Sequence, residues 1–152
     1  MPSPRPLPIA HALLGTVALF CIATFWSATL VSELWFGPAE IAAVKRAILG
    51  AMSILIPAMM LTGLSGTRLA QGWQLVPGSR LYAKQRRMKL IAINGALILL
   101  PSAWFLARQS SAGQFDTLFY AVQSLELLAG AVNLTLLLGN LRDGLALRRS
   151  AH

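Results

Sequence analysis

An all-α integral membrane protein, an antiparallel up-down bundle of four transmembrane helices, is the fold this sequence predicts. Three observations predict it. Four stretches hold no Lys or Arg and almost no acids: 6–32, 47–67, 90–107 and 109–141, of 27, 21, 18 and 33 residues. A hydrocarbon core about 30 Å thick is crossed by about 20 helical residues at ~1.5 Å rise each, so each stretch crosses once. Charged residues make up 12% of the chain and hydrophobic ones 56%, against roughly 25% charged in a soluble domain. The cations also sit in alternate connections. Arg68, Arg80, Lys84, Arg86, Arg87 and Lys89 lie between the second and third stretches with no acid among them, and Arg142, Arg148 and Arg149 follow the fourth.

That placement fixes the expected topology. With four crossings, the basic connection and both termini share one side. Basic loops are retained in the cytoplasm, so both termini are expected there, in a bacterial-type inner membrane. The net charge of +8 is read as a topology anchor touching anionic lipid along 68–89, not as a nucleic-acid surface. The chain forms one domain, 1–152, with spans near 8–34, 39–64, 88–109 and 115–142 and a basic cytoplasmic loop at 65–88.

Span one starts at Pro8, which suits a helix's first turn. Its apolar run from Ile9 to Ser32 exceeds the ~7–15 residues of a signal-peptide core, so it is read as a retained helix. Trp35 and Phe36 mark the outer interface, where aromatic rings settle at headgroup depth. Span two follows Gly37-Pro38, opens on Glu40, Lys45 and Arg46, and is expected to end at Gly63 and Gly66. Gly72, Pro77 and Gly78 then mark turns, with Trp73 anchoring that loop at the surface. Pro57 and Pro101 interrupt spans two and three, as neighbouring groups in a membrane bundle permit. Span four is reached through the short polar connection 110–114, which makes it an antiparallel neighbour of span three.

Span four carries the most chemistry. Phe119, Gln123, Glu126, Gly130, Asn133, Leu137 and Asn140 recur at spacings of three and four and so share one helix face. Five of the seven are polar or small. In lipid such a face turns inward, because small residues let helices approach and polar ones bond across them. Glu126 is the only acid well inside a span. An isolated carboxylate there costs several kcal/mol, so it needs a partner, a proton or water. Lys45 and Arg46 enter from the same side, and Glu33 and Asp116 lie at that level. An intramembrane polar cluster of Glu126, Lys45, Arg46, Glu33, Asp116 and Gln123 is therefore expected, serving either as an ion-pair staple or as a proton- or substrate-handling site. Asn94 and Asn133, with Ser53 or Ser102, are expected to bond between helices in the inner half.

His11 lies near the inner end of span one, at about the level of Met59, Met60 and Met88. A His/Met pair ligates haem iron in some cytochromes, so His11 with Met60 is the one arrangement that would hold a haem. Cys21 stands alone in span one, which excludes an internal disulfide, a CxxC redox pair and a sulfur-based zinc site. There is no GxGxxG, P-loop, HExxH or GxSxG motif. No catalytic residue and no metal site is expected, and no cofactor beyond haem b or quinone as alternatives.

The stretch Glu126-Leu-Leu-Ala-Gly130 through Leu137-Leu-Gly139-Asn-Leu-Arg142 resembles a helix of the DoxX-type four-helix membrane proteins, a family linked in places to quinone-coupled sulfur oxidation. The likeness covers about a tenth of the chain, and in that family the stretch lies in the third helix rather than the last. No function is carried over from it. The function expected from the residues is a non-enzymatic accessory subunit or scaffold, its polar face packing against another copy or a membrane-protein partner. The alternatives are a small proton-coupled transporter or channel using Glu126, and a haem- or quinone-binding anchor of a redox complex.

Overall fold

The computed structural model describes residues 6–71 and 79–149, with side chains as far as Ala146. The described elements are helices: α1 (Pro6–Trp35), α2 (Pro38–Ala70), α3 (Arg80–Ser111) and α4 (Thr117–Arg149). Each is long and apolar enough to cross a membrane. The protein is thus a four-helix membrane bundle. One end carries the start of α1, the end of α2, the start of α3 and the end of α4 and is called the basic end below; the other is the far end.

Local chemistry sets the helix ends. Gly37 is extended and Pro38 supplies the pre-set first turn of α2. The Ser79 hydroxyl caps α3 by accepting from the Tyr82 amide at 3.2 Å. At the far end Gly113, with φ of 70°, reverses the chain, a conformation glycine adopts without steric cost. The Asp116 carboxylate then caps α4, accepting from the Phe119 amide at 2.8 Å.

The expected loop at 65–88 is mostly helix. α2 continues past Gly63 and Gly66 to Ala70, and α3 begins at Arg80 rather than Met88. Two physical reasons account for this. Gly66 ends nothing because the His11 ring packs on it, where an added Cβ would lie 3.1 Å from His11 Cε1. Lys, Arg and Gln are good helix formers, and α3 opens with a run of them. The turns at Gly72, Pro77 and Gly78 and the Trp73 anchor lie outside the described residues.

Pro101 does interrupt α3, through a turn of π-helix. Residues Gly95–Leu99 form it, and the Leu100 amide donates to Gly95 O, five residues back. A π-turn carries one extra residue per turn, and here it precedes a proline with no amide hydrogen to give.

The helices form a ring in chain order, with α1 also against α4. α2 meets α3 chiefly through its Leu100–Ser111 half, while Arg80–Asn94 leans on α4 instead. Apolar cores form accordingly: Ile41, Leu106 and Phe119 at the far end, Ile48, Met52 and Ala103 between α2 and α3, and Ile22, Ile91 and Leu137 toward the basic end. Phe20, Leu97 and Leu128 point outward at about 70% exposure, as helices solvated by acyl chains require. In the basic half, the diverging α2 and α3 leave a cleft.

Candidate functional site

The far-half polar cluster is built from α1, α2 and α4. Lys45, 1% exposed, places Nζ 2.8 Å from Glu126 Oε2. The same ammonium donates to Thr29 Oγ1 at 3.4 Å, and Gln123 Nε2 donates to Glu126 Oε2 at 3.2 Å. α2 and α4 are diagonal to one another, so the long lysine stem spans the interior of the ring. Glu33 lies within electrostatic reach of both Lys45 and Glu126. Its Oε1 is buried without a hydrogen-bond partner among the described residues, as is Gln123 Oε1. The cluster therefore holds two carboxylates, one ammonium and two unanswered acceptors.

The structure does not bring Arg46 and Asp116 into this cluster. Arg46 turns to the surface and donates to Ser111 Oγ at 3.3 Å, which keeps its guanidinium wet. Asp116 is occupied as the α4 cap. Thr29 is the member that sequence reasoning missed. The signal was present: Ile22, Trp26, Thr29 and Glu33 share one face of α1 at spacings of four, three and four. Trp26 is the other half of that signal. Its ring lies on Gly130, where an added Cβ would sit 2.9 Å from Trp26 Cδ1. Its indole N–H donates to Leu127 O at 2.9 Å. The pair brings α1 and α4 into close approach just below the cluster.

The α4 stripe faces inward throughout. Phe119, Gln123, Gly130, Asn133, Leu137 and Asn140 are buried, and Glu126 is nearly so. Asn94 Nδ2 donates to Asn133 Oδ1 and to Ala129 O, both at 2.8 Å. Ser53 bonds its own helix at Gly50 O instead. Ser102 is buried but lies about 12 Å further along α3 than Asn94 at ~1.5 Å per residue, beyond reach of that pair. The Asn140 amide has neither atom partnered among the described residues.

The basic end has its own polar contacts. Arg87 pairs with Asp143, tying α3 to α4, and its guanidinium packs over Gly139. His11 Nδ1 lies 3.0 Å from Ser65 Oγ, and the ring rests on Gly66. His11 therefore packs directly on α2, the helix that carries Met60. Met60 is 62% exposed and, like His11, lines the cleft.

The cleft has a volume of about 1200 Å³. It opens between α2 and the basic half of α3, backed by α1 and α4. Leu55, Met59, Met88, Ala92 and Ala96 give it apolar walls, and Glu126, with Asn133, lines its deep end. Sequence reasoning missed it, because no periodicity records that two apolar helices diverge. Among the described residues, no three His, Cys, Asp or Glu side chains converge as a metal site would need.

Fold and site together define a multi-pass helical membrane protein with an apolar cleft ending at a buried ion pair. Compared with protein-family models, curated proteins and solved structures, the chain matches none. The likeness of 126–142 to DoxX-type proteins remains a local one.

Proposed function

We propose that the protein is a non-enzymatic accessory subunit whose cleft takes up a lipid-soluble molecule from the bilayer. It stands in a bacterial-type inner membrane, with both termini and the α2–α3 connection cytoplasmic, a placement supported by the six unopposed cations of that connection. The carrying observation is the cleft itself: about 1200 Å³, apolar along its length, with polar groups at its ends. Ligand sites have this character, largely apolar with a few placed polar groups. A flexible acyl or isoprenoid chain, including a quinone tail, suits it.

The test is to extract detergent-purified protein with organic solvent and analyse the extract by mass spectrometry. A stoichiometric lipid-soluble molecule is expected. Ala96→Phe, which fills the cleft from α3 without touching a core, should lower its occupancy at least about tenfold, a loss of ~1.4 kcal/mol. Equal occupancy in the wild type and this variant would overturn the proposal.

A second reading is favoured by one observation, the unpartnered acceptors Glu33 Oε1 and Gln123 Oε1 beside the ion pair. Two carboxylates stand near one ammonium there, and on this reading the cluster would carry protons for a coupled transporter. Glu126→Gln is expected to abolish proton flux in reconstituted vesicles, measured on the folded, monodisperse fraction because the change removes the partner of a buried ammonium. Flux equal to wild type would remove this reading.

A further inference from the structure

The cleft differs at its two ends, and the difference specifies its ligand. At the deep end Glu126 is already neutralised by Lys45 at 2.8 Å. At the mouth, on the basic end, stand Lys84 and Lys89 from α3 and His11 from α1, all lining the cleft. Glu126 is the only acid among the described lining residues, and it lies at the opposite end. Asp143 is the nearest acid to Lys84, but its carboxylate is bound by Arg87. Among the described residues neither Lys84 nor Lys89 forms a salt bridge. Lys84 Nζ instead rests near Gly144, 3.5 Å from where a Cβ would stand. The mouth thus presents two lysine ammoniums with no salt bridge among the described residues, beside the His11 imidazole, and the shaft behind it is hydrocarbon.

Length agrees with charge. From Lys84 to Leu100, both lining the cleft, is sixteen positions of α3, about 24 Å at ~1.5 Å per residue. One leaflet is half of a core about 30 Å thick, so the shaft is long enough to take an acyl chain of the leaflet at the basic end along its whole length.

Building on the lipid-binding reading above, we infer that the cleft is the seat of one anionic phospholipid from the leaflet at the basic end. Its phosphate is held at the mouth by the lysines that line it, Lys84 and Lys89, and an acyl chain runs up between α2 and α3 toward Trp26. The lipid enters sideways through the gap where those helices diverge. Zwitterionic lipid is discriminated against because its own ammonium meets the same cations. This differs from a general basic surface, which attracts anionic headgroups but holds no chain between the helices.

The experiment uses Trp26, which lines the cleft. A full-length protein with W35F, W73F and W104F leaves Trp26 as its sole indole. It is reconstituted into vesicles of phosphatidylcholine containing phosphatidylglycerol, with bromine on the acyl chains of one lipid or the other. Brominated phosphatidylglycerol is expected to quench Trp26 at mole fractions well below those that brominated phosphatidylcholine needs. K84Q with K89Q should reduce that preference at least about tenfold, on the basis of ~1 kcal/mol for each lysine near the surface. A96F should remove the quenching by both lipids, with helical content unchanged as the folding control. Equal quenching by the two lipids would overturn the anionic assignment while leaving the lipid-binding reading standing. A preference retained in the double lysine variant would overturn the role of Lys84 and Lys89. No quenching by either lipid would overturn both readings, the cleft then being closed by protein.

Discussion

Among single residues, Lys45 carries the most. Its side chain leaves α2, crosses the interior and meets Glu126 on the diagonal helix, with 1% of its surface exposed. Desolvating two ions is expensive, and their attraction returns it only when geometry and extra hydrogen bonds are good. Here Thr29 and Gln123 supply those bonds. Lys45→Met should therefore cost about 3–5 kcal/mol, because it strands a buried carboxylate. The double variant K45M/E126L should recover most of that loss, since apolar replacement of a whole buried pair is often neutral. The measurement is the detergent-to-SDS unfolding midpoint of the three proteins. A double variant as unstable as K45M would show that the pair does more than neutralise itself.

The residue scale also shows what can be read from a linear sequence. Glu126 could be found because a lone acid in an apolar run has few partners, and Lys45 because it enters from the same side. Arg46, one position on, points elsewhere. A helix turns about 100° per residue, so neighbours in sequence face different surroundings, and depth alone could not choose between them. Asp116 was at the right depth too, but a carboxylate before the first turn of a helix finds backbone amides first. Thr29 was passed over because a threonine in a span looks apolar until a cation is placed beside it.

At the level of elements, α3 is the unusual one. Its π-turn at Gly95–Leu99 divides a basic half that leans on α4 from a far half that packs on α2. The proline that accompanies the turn was plain in the sequence; the extra residue it absorbs was not. A π-turn behaves as a one-residue insertion in an α-helix. Deleting Leu97, which is 71% exposed and touches no core, should convert the turn to regular α-helix with the fold retained. Deleting Leu106, which is 0% exposed, should abolish folding by rotating the far-end core out of register. Monodisperse elution in detergent, compared for the two deletions, decides this. Equal loss in both would mean that the π-turn is needed for assembly.

The ends of elements were less legible than their middles. The apolar middles follow from the cost of placing charge in hydrocarbon, a strong constraint. Beyond the hydrocarbon that constraint lapses, and glycines that would stop a soluble helix are held by packing. Gly66 shows this: the residue that looked like a terminus is the seat of an imidazole from α1.

Considered whole, the molecule is asymmetric along the membrane normal. The class of fold was readable from composition and charge placement, because only helices satisfy their own backbone in lipid. The cleft was not, since it depends on how two apolar helices lean, and lipid offers them no hydrophobic drive to close. In the far half, packed cores and the diagonal lysine hold the helices together. In the basic half, α3 is held to α4 by Arg87 and Asp143 and stands apart from α2.

The lysine that spans the ring also has a mechanical side. A tie near one end of a bundle acts as a fulcrum, and beyond it α1 is fastened to α2 by His11 and α3 to α4 by Arg87 and Asn94, which makes two paired arms, like the jaws of forceps, with the cleft between them. Squeezing by the surrounding bilayer then acts on the jaws and not on the joint.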